Sequence, residues 1–176
     1  FVAGDDVAIA GSEGEAGASE NANALPVARQ QETAAMTPVE RLAAKADGKQ
    51  WELVENQRGI TYFGLFGPYL AGAKKIVVED AYVRKPYQLR NLAEFLEMLL
   101  RCKNPDGDVA VHLVTGHNEP GFMEAQLDGL NELASTFSQL GVNLTYEFRD
   151  TLHDRSITAD TGWEILPGRG LDIFQK

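Results

Sequence analysis

His153-Asp154-Arg155-Ser156-Ile157-Thr158-Ala159-Asp160, followed by Gly162-Trp163-Glu164-Ile165-Leu166-Pro167-Gly168-Arg169-Gly170, is the stretch on which the fold turns. Polar and apolar residues alternate through it, and its second half ends in a glycine-flanked turn. A strand over 153–159 would place His153, Arg155 and Ile157 on one face, and Asp154, Ser156 and Thr158 on the other. Asp160-Thr161-Gly162 then reads as the turn of a hairpin, with Trp163 to Leu166 as the returning strand. An imidazole and a guanidinium on one face suit an anionic group such as phosphate. The guanidinium offers a bidentate fork, and the imidazole can donate or transfer a proton.

Upstream, Ile76-Val77-Val78 is a β-branched run of the kind found in a strand covered on both faces. Pro86 opens a long helix in which Leu89, Leu92, Ala93, Leu96, Leu99 and Leu100 recur at helical spacing, with Glu97 and Arg101 as an i,i+4 pair. Asp108 to Thr115 reads as a second buried strand. A second helix carries Met123, Leu127, Leu130, Leu133, Ala134, Phe137 and Leu140 on one face and stops at Gly141. Val142 to Phe148 alternates as a third strand. Two strand–helix–strand units in a row require right-handed crossovers and parallel strands, and the closing hairpin makes the sheet mixed. The fold class is therefore α/β, a mixed sheet with flanking helices, and ligands are expected at the carboxyl ends of the parallel strands. Those ends are Asp80-Ala81-Tyr82-Val83-Arg84 and Thr115-Gly116-His117-Asn118-Glu119.

The chain has 176 residues, 44% hydrophobic and 24% charged, a normal globular balance. Thirteen of the first fifty residues are alanine, and residues 2 to 35 contain no aromatic. Such a segment cannot bury enough apolar area to offset its ordering entropy, so residues 1–36 read as a flexible linker. Residues 37–57 follow as a short helix, capped by Thr37 with Pro38 at its first position, and a connecting strand from Trp51. Residues 58–176 form the domain proper, beginning with a glycine-interrupted helix over Thr61 to Ala71. Phe1 at the start, and the look of residues 1–10 as the end of a preceding unit, lead to the expectation that this is a C-terminal piece of a longer protein.

The net charge of −10 divides as −4 over residues 1–50 and −6 over residues 51–176. An acidic domain has no general attraction to nucleic acid or anionic lipid, so any anion binding must be local. Lys74, Lys75, Arg84, Lys85, Arg90, Arg155 and Arg169 are the residues able to supply it. The single cysteine, Cys102, excludes an intrachain disulfide, fits a reducing cytoplasm and reads as a structural thiol. No apolar run reaches the length of a membrane span. His117-Asn118-Glu119 is a weak metal signal and His112 a core or rim histidine, so neither metal nor cofactor is expected.

The spacing His153-x-Arg155-x-x-x-x-Asp160 resembles the phospholipase D superfamily signature, with arginine where the lysine belongs. Lys74-Lys75-Ile76-Val77-Val78-Glu79-Asp80-Ala81-Tyr82-Val83-Arg84, Gly162-Trp163 and Gly168-Arg169-Gly170-Leu171-Asp172 extend the likeness. Residues 58 to 176 look like the C-terminal phospholipase D-like domain of MIT-domain proteins, in a bacterial form attached to Lon-like ATP-dependent proteases of the phage-defence type. The resemblance implies that His153 acts as nucleophile or acid, that Arg155 holds phosphate and that Asp160 supports the pair.

Such enzymes need two motifs, and this chain carries one; the nearest second, His112-Leu113-Val114, lacks the cation. Activity would therefore require a homodimer. Arginine for lysine at a bidentate site is not a neutral exchange, and Gly168-Arg169 replaces the glycine-serine step. The family resembled is regarded as a binding domain without a working active site. The reading is thus a non-catalytic, dimer-forming domain that binds a phosphate-bearing ligand or a partner, with a dimeric phosphodiesterase or nuclease as the alternative. The ligand-binding residues would be Tyr82, Arg84, His153, Arg155 and Arg169, the last within an anion-binding nest formed by Gly168-Arg169-Gly170. The purely structural alternative is that Asp154 and Arg155 make an internal ion pair or pin the hairpin, with His153 a polar residue at the strand start. Any ATPase and protease residues would lie upstream in the same protein.

Overall fold

The computed structural model describes residues 5–11, 36–53 and 59–173. The elements are β1 (Asp5–Gly11), α1 (Pro38–Ala43), β2 (Trp51–Leu53), α2 (Tyr62–Leu70), β3 (Lys75–Glu79) and α3 (Pro86–Cys102), then β4 (Val109–Thr115), α4 (Met123–Ser138), β5 (Val142–Phe148), β6 (Ser156–Ala159) and β7 (Trp163–Pro167). They build one seven-stranded sheet in the order β2-β1-β7-β6-β3-β4-β5. β3, β4 and β5 are parallel, and β6 runs antiparallel to β3 and to β7. The mixed α/β sheet follows from two right-handed crossovers and a hairpin.

Both crossovers step in the same direction along the sheet, so both helices fall on the same face. The register agrees. Ile76 lies beside Val111, Val78 beside Leu113 and Ile157, Val111 beside Leu144, and Ile157 beside Ile165. All of these residues are buried in one core with Phe66, Leu92, Phe95, Leu96 and Leu130. The opposite face carries Val77, His112, Thr145, Thr158 and Glu164 in register. Val77 is 37% exposed, so the β-branched run is covered on one face only, and the expected double coverage is corrected. His112 sits on this open face, its Nδ1 2.9 Å from Thr145 Oγ1.

Thr37 and Thr61 cap α1 and α2 by accepting hydrogen bonds from the amides of Glu40 and Gly64. Tyr62, Phe66 and Phe95 pack with ring centroids 5.9 to 6.3 Å apart, joining α2 to α3. Tyr69 meets Trp163 edge-on at 5.2 Å, joining α2 to the hairpin. Gly129 of α4 faces Leu89 of α3, whose Cδ1 lies 2.5 Å from where a β-carbon would stand, so a larger residue there would have to turn the end of the Leu89 side chain aside.

Cys102 is fully buried against Met98, and burial pushes its thiol up to about 12. An aromatic disulfide reagent at neutral pH is expected to leave the folded chain unlabelled and to label it fully in denaturant. Rapid labelling of the folded protein would contradict this packing.

Two boundaries differ from the sequence reading. Within the expected linker over 1–36, Asp5–Gly11 pairs antiparallel with β7, Ala8 beside Leu166 and Ile9 beside Ile165, and β2 pairs on its far side. Residues 12–35 lie outside the described residues, as do 54–58 of the expected 37–57 segment. The strand expected over 153–159 begins only at Ser156, which leaves His153, Asp154 and Arg155 in the preceding loop.

Candidate anion-binding site

Because β6 is antiparallel to β3, its first residue Ser156 stands opposite Glu79 at the carboxyl end of β3. The loop before β6, the residues after β3 and the end of β7 therefore converge. Tyr82, His153, Asp154, Arg155, Leu166, Pro167 and Gly168 line an open cavity of 280 Å³ there. The period-two argument for His153 and Arg155 sharing a strand face fails, since neither is on a strand. The loop nevertheless brings both to one cavity.

Arg155 is fixed from three sides. Its Nη1 donates to the Gly168 carbonyl at 2.8 Å, its Nε lies 3.8 Å from Asp80 Oδ1, and its guanidinium carbon sits 4.5 Å from the Tyr82 ring centroid. The guanidinium is thus held edge and face, and its Nη2 makes no hydrogen bond among the described residues. His153 is exposed at the cavity wall and has no hydrogen bond among the described residues. Asp154 lines the cavity without an ion pair to Arg155; the partner of Arg155 is Asp80.

Asp80 was not foreseen as a site residue. It is 2% exposed, its Oδ1 accepts from the Tyr82 amide at 3.0 Å and its Oδ2 from the Leu171 amide at 2.8 Å. Burial pushes its carboxyl above the usual range, opposed by the two amides and the Arg155 guanidinium. A carboxylate just past a parallel strand end, where α/β sheets place their ligands, was the available signal.

The glycine-flanked turn expected to cradle an external anion is occupied from within. Gly170 has φ +63°, and a β-carbon there would stand 2.0 Å from Asp80 Oδ2. The turn thus presents the Leu171 amide to Asp80. Tyr62 donates its hydroxyl to the Leu171 carbonyl at 2.5 Å, and Asp172 accepts from Gln88 at 2.7 Å and Asn91 at 3.2 Å. The Gly168-to-Asp172 segment is therefore a fastening of the tail onto α3 and the β3 end. Arg169 is exposed on this turn.

Asp160 lies at the opposite end of β6 from Arg155, where its Oδ1 accepts from the Lys74 amide at 3.0 Å. Four strand residues separate it from the cavity, so the supporting role implied for it is corrected to a turn-fixing one. Lys74 and Lys75 share that remote end. Arg84 stands beside Tyr82, 5.5 Å from its ring centroid, with Nε donating to the Ala81 carbonyl at 2.8 Å.

The neighbouring loops at the same sheet end are internally tied. The buried Gln126 side chain accepts from the Asn118 amide and donates to the carbonyls of Val83 and Gly116. The His117 imidazole stacks on Phe148 at 4.4 Å and its Nδ1 lies 3.0 Å from Asp150. Hydrogen bonds from His117 hold the Asp150 carboxyl below the usual range. Among the described residues no group of three or more His, Cys, Asp or Glu side chains is arranged to hold a metal, and no helix is long and apolar enough to cross a membrane.

Comparison with known proteins agrees with this architecture. Residues 59–176 match a family model described as a phospholipase D-like domain at the C-terminus of MIT. MIT domain-containing protein 1 of Mus musculus is 38% identical over 136 residues, which cover 75% of this chain and 54% of the mouse protein. The chain thus spans about half the length of that curated relative. On both the family match and this identity, the chain belongs to the family of phospholipase D-like domains that stand at the C-terminus of MIT proteins.

Proposed function

We propose that this domain is a non-catalytic, dimer-forming recognition module that binds a phosphate-bearing ligand through Arg155, His153 and Tyr82. The observation that carries this reading is the Arg155 guanidinium, fixed by Gly168, Asp80 and Tyr82 at the wall of an open cavity beside an unengaged His153. A pre-positioned guanidinium loses little side-chain entropy on meeting an anion, which favours binding. Turnover of a phosphodiester needs more. The acidic partner implied by the signature, Asp160, is tied to Lys74 at the far end of the strand, and Asp80 and Gly168 use part of the cation that would stabilise a developing charge.

The dimeric part of the reading draws on Leu166, 40% exposed at the cavity rim, and Val77 on the open sheet face, which offer apolar area to a second copy. Attachment to a larger Lon-like ATP-dependent protease in phage defence draws on the sequence resemblance, and a reducing cytoplasm on the single cysteine, Cys102. The relative with nearly half its length beyond the matched span is in keeping with a domain of a longer protein.

Hydrolysis of bis(p-nitrophenyl) phosphate by the full chain and by His153→Ala tests the non-catalytic claim. The expected result is no release of nitrophenol above buffer from either protein. Release by the parent that disappears in His153→Ala would replace this reading with a dimeric phosphodiesterase.

A further inference from the structure

Gly116, at the end of β4, has no positive φ to explain its glycine. What occupies the missing side chain's place is Arg84. A β-carbon on Gly116 would stand 2.3 Å from Arg84 Nη2, 3.1 Å from its guanidinium carbon and 3.0 Å from the Ala81 carbonyl. The guanidinium thus lies across the backbone of the β4 loop, steered there by its Nε bond to Ala81 and by the Gln88 side chain, which accepts from the Arg84 amide at 3.1 Å. Its two Nη groups make no hydrogen bond among the described residues. Next along the loop is His117, its Nδ1 3.0 Å from Asp150 and its Nε2 without a hydrogen bond among the described residues.

Tyr82 joins this place to the Arg155 cavity. The guanidinium carbons of Arg155 and Arg84 lie 4.5 and 5.5 Å from the centroid of the same ring, so they are no more than about 10 Å apart. Both are held by backbone carbonyls through one nitrogen, and both keep donors unused. Asp150 is paired with His117 at 3.0 Å, and the Arg84 guanidinium also helps to hold its carboxyl below the usual range. Two half-satisfied guanidiniums fixed on one aromatic ring are more than a single anion requires.

From this arrangement we propose that Arg84, lying over Gly116 beside His117, forms a second anion subsite, and that the domain selects ligands carrying two phosphate groups on one small scaffold. The proposal rests on the anion-binding reading of the Arg155 cavity. The second phosphate, once the first is bound, meets Arg84 as an intramolecular partner, so the gain is one of effective concentration. Gly116 is a specificity-determining position, because only glycine leaves Arg84 its place.

Calorimetric titration of the full chain with propyl phosphate and with propane-1,3-diyl bisphosphate tests this. The bisphosphate is expected to bind about tenfold or more tightly. Arg84→Gln and Gly116→Ala should each remove most of that preference. Gly116→Ala acts by pushing the Arg84 guanidinium from its place, since its β-carbon would stand 2.3 Å from Nη2. Equal binding of the two probes by the parent, or an unchanged preference in both variants, would overturn the second subsite. Failure of the parent to bind either probe would instead overturn the cavity reading beneath it. Repeating the titration with mono- and bisphosphorylated lipids in phosphatidylcholine vesicles identifies the source. A preference retained on vesicles marks a headgroup, and one seen only in solution marks a free ligand.

Discussion

Gly170→Ala is expected to destabilise the domain by about 3–5 kcal/mol, from backbone strain together with loss of buried hydrogen bonds, and to lower its melting temperature by roughly 10 °C. Two independent causes meet at this residue. Its φ of +63° lies in the left-handed region that a β-carbon disfavours, and the space for that carbon is filled by Asp80 Oδ2 at 2.0 Å. Asp80 cannot yield easily, because its carboxylate is buried and accepts from the amides of Tyr82 and Leu171. Moving it strands both donors and the Arg155 guanidinium. Gly141→Ala supplies the control. There φ is +79°, but the neighbours are the ends of Asp108 and Lys103, which can swing aside, so only the backbone cost of about 1–2 kcal/mol is expected. Thermal unfolding of Gly170→Ala, Asp80→Ala and the double variant checks the mechanism. The double variant should be clearly more stable than additivity predicts, because the clash and the carboxylate vanish together. Strict additivity would show that the two residues act independently.

Arg155→Gln is expected to weaken phosphate binding by about 100-fold, equivalent to about 2.7 kcal/mol, and Arg155→Lys by about tenfold or more. Glutamine keeps a donor for the Gly168 carbonyl but brings no charge. Lysine keeps the charge but cannot simultaneously bond Gly168, approach Asp80 and stack its plane on Tyr82 as the guanidinium does. The two losses measure different things, charge in the first and geometry in the second. Calorimetry on propyl phosphate separates them, and a lysine variant that binds as tightly as the parent would show that a point charge suffices.

Much of the fold was legible because its determinants are local. Pro86 opening α3, Gly141 closing α4 and the alternation in Val142–Phe148 each act within a few residues, and crossover handedness then orders the strands. What was not legible depends on partners distant in sequence. Asp5–Gly11 carries a weak strand signal among alanines and glycines, and its pairing with Trp163–Pro167 spans most of the chain. Ile76-Val77-Val78 looks alike whether one face or two are covered, and only the common direction of the two crossovers decides that Val77 faces outward.

The site was partly readable. Arg155, His153 and Tyr82 do line one cavity. Asp160 matches the signature by spacing, yet the intervening strand carries it to the other end of the sheet. The carboxylate that does approach Arg155, Asp80, is separated from its Leu171 partner by 91 positions. That contact also explains Gly170, where a β-carbon would stand 2.0 Å from Asp80 Oδ2.

The most direct measurement of the central claim is a titration of the isotopically labelled full chain with propyl phosphate, followed by amide and arginine side-chain chemical shifts. Saturable changes concentrated at Tyr82, His153, Arg155 and Gly168, with Asp160, Lys74 and Lys75 unmoved, are the predicted result. Saturable changes centred on the Lys74–Asp160 end of the sheet, or none at the cavity, would contradict it.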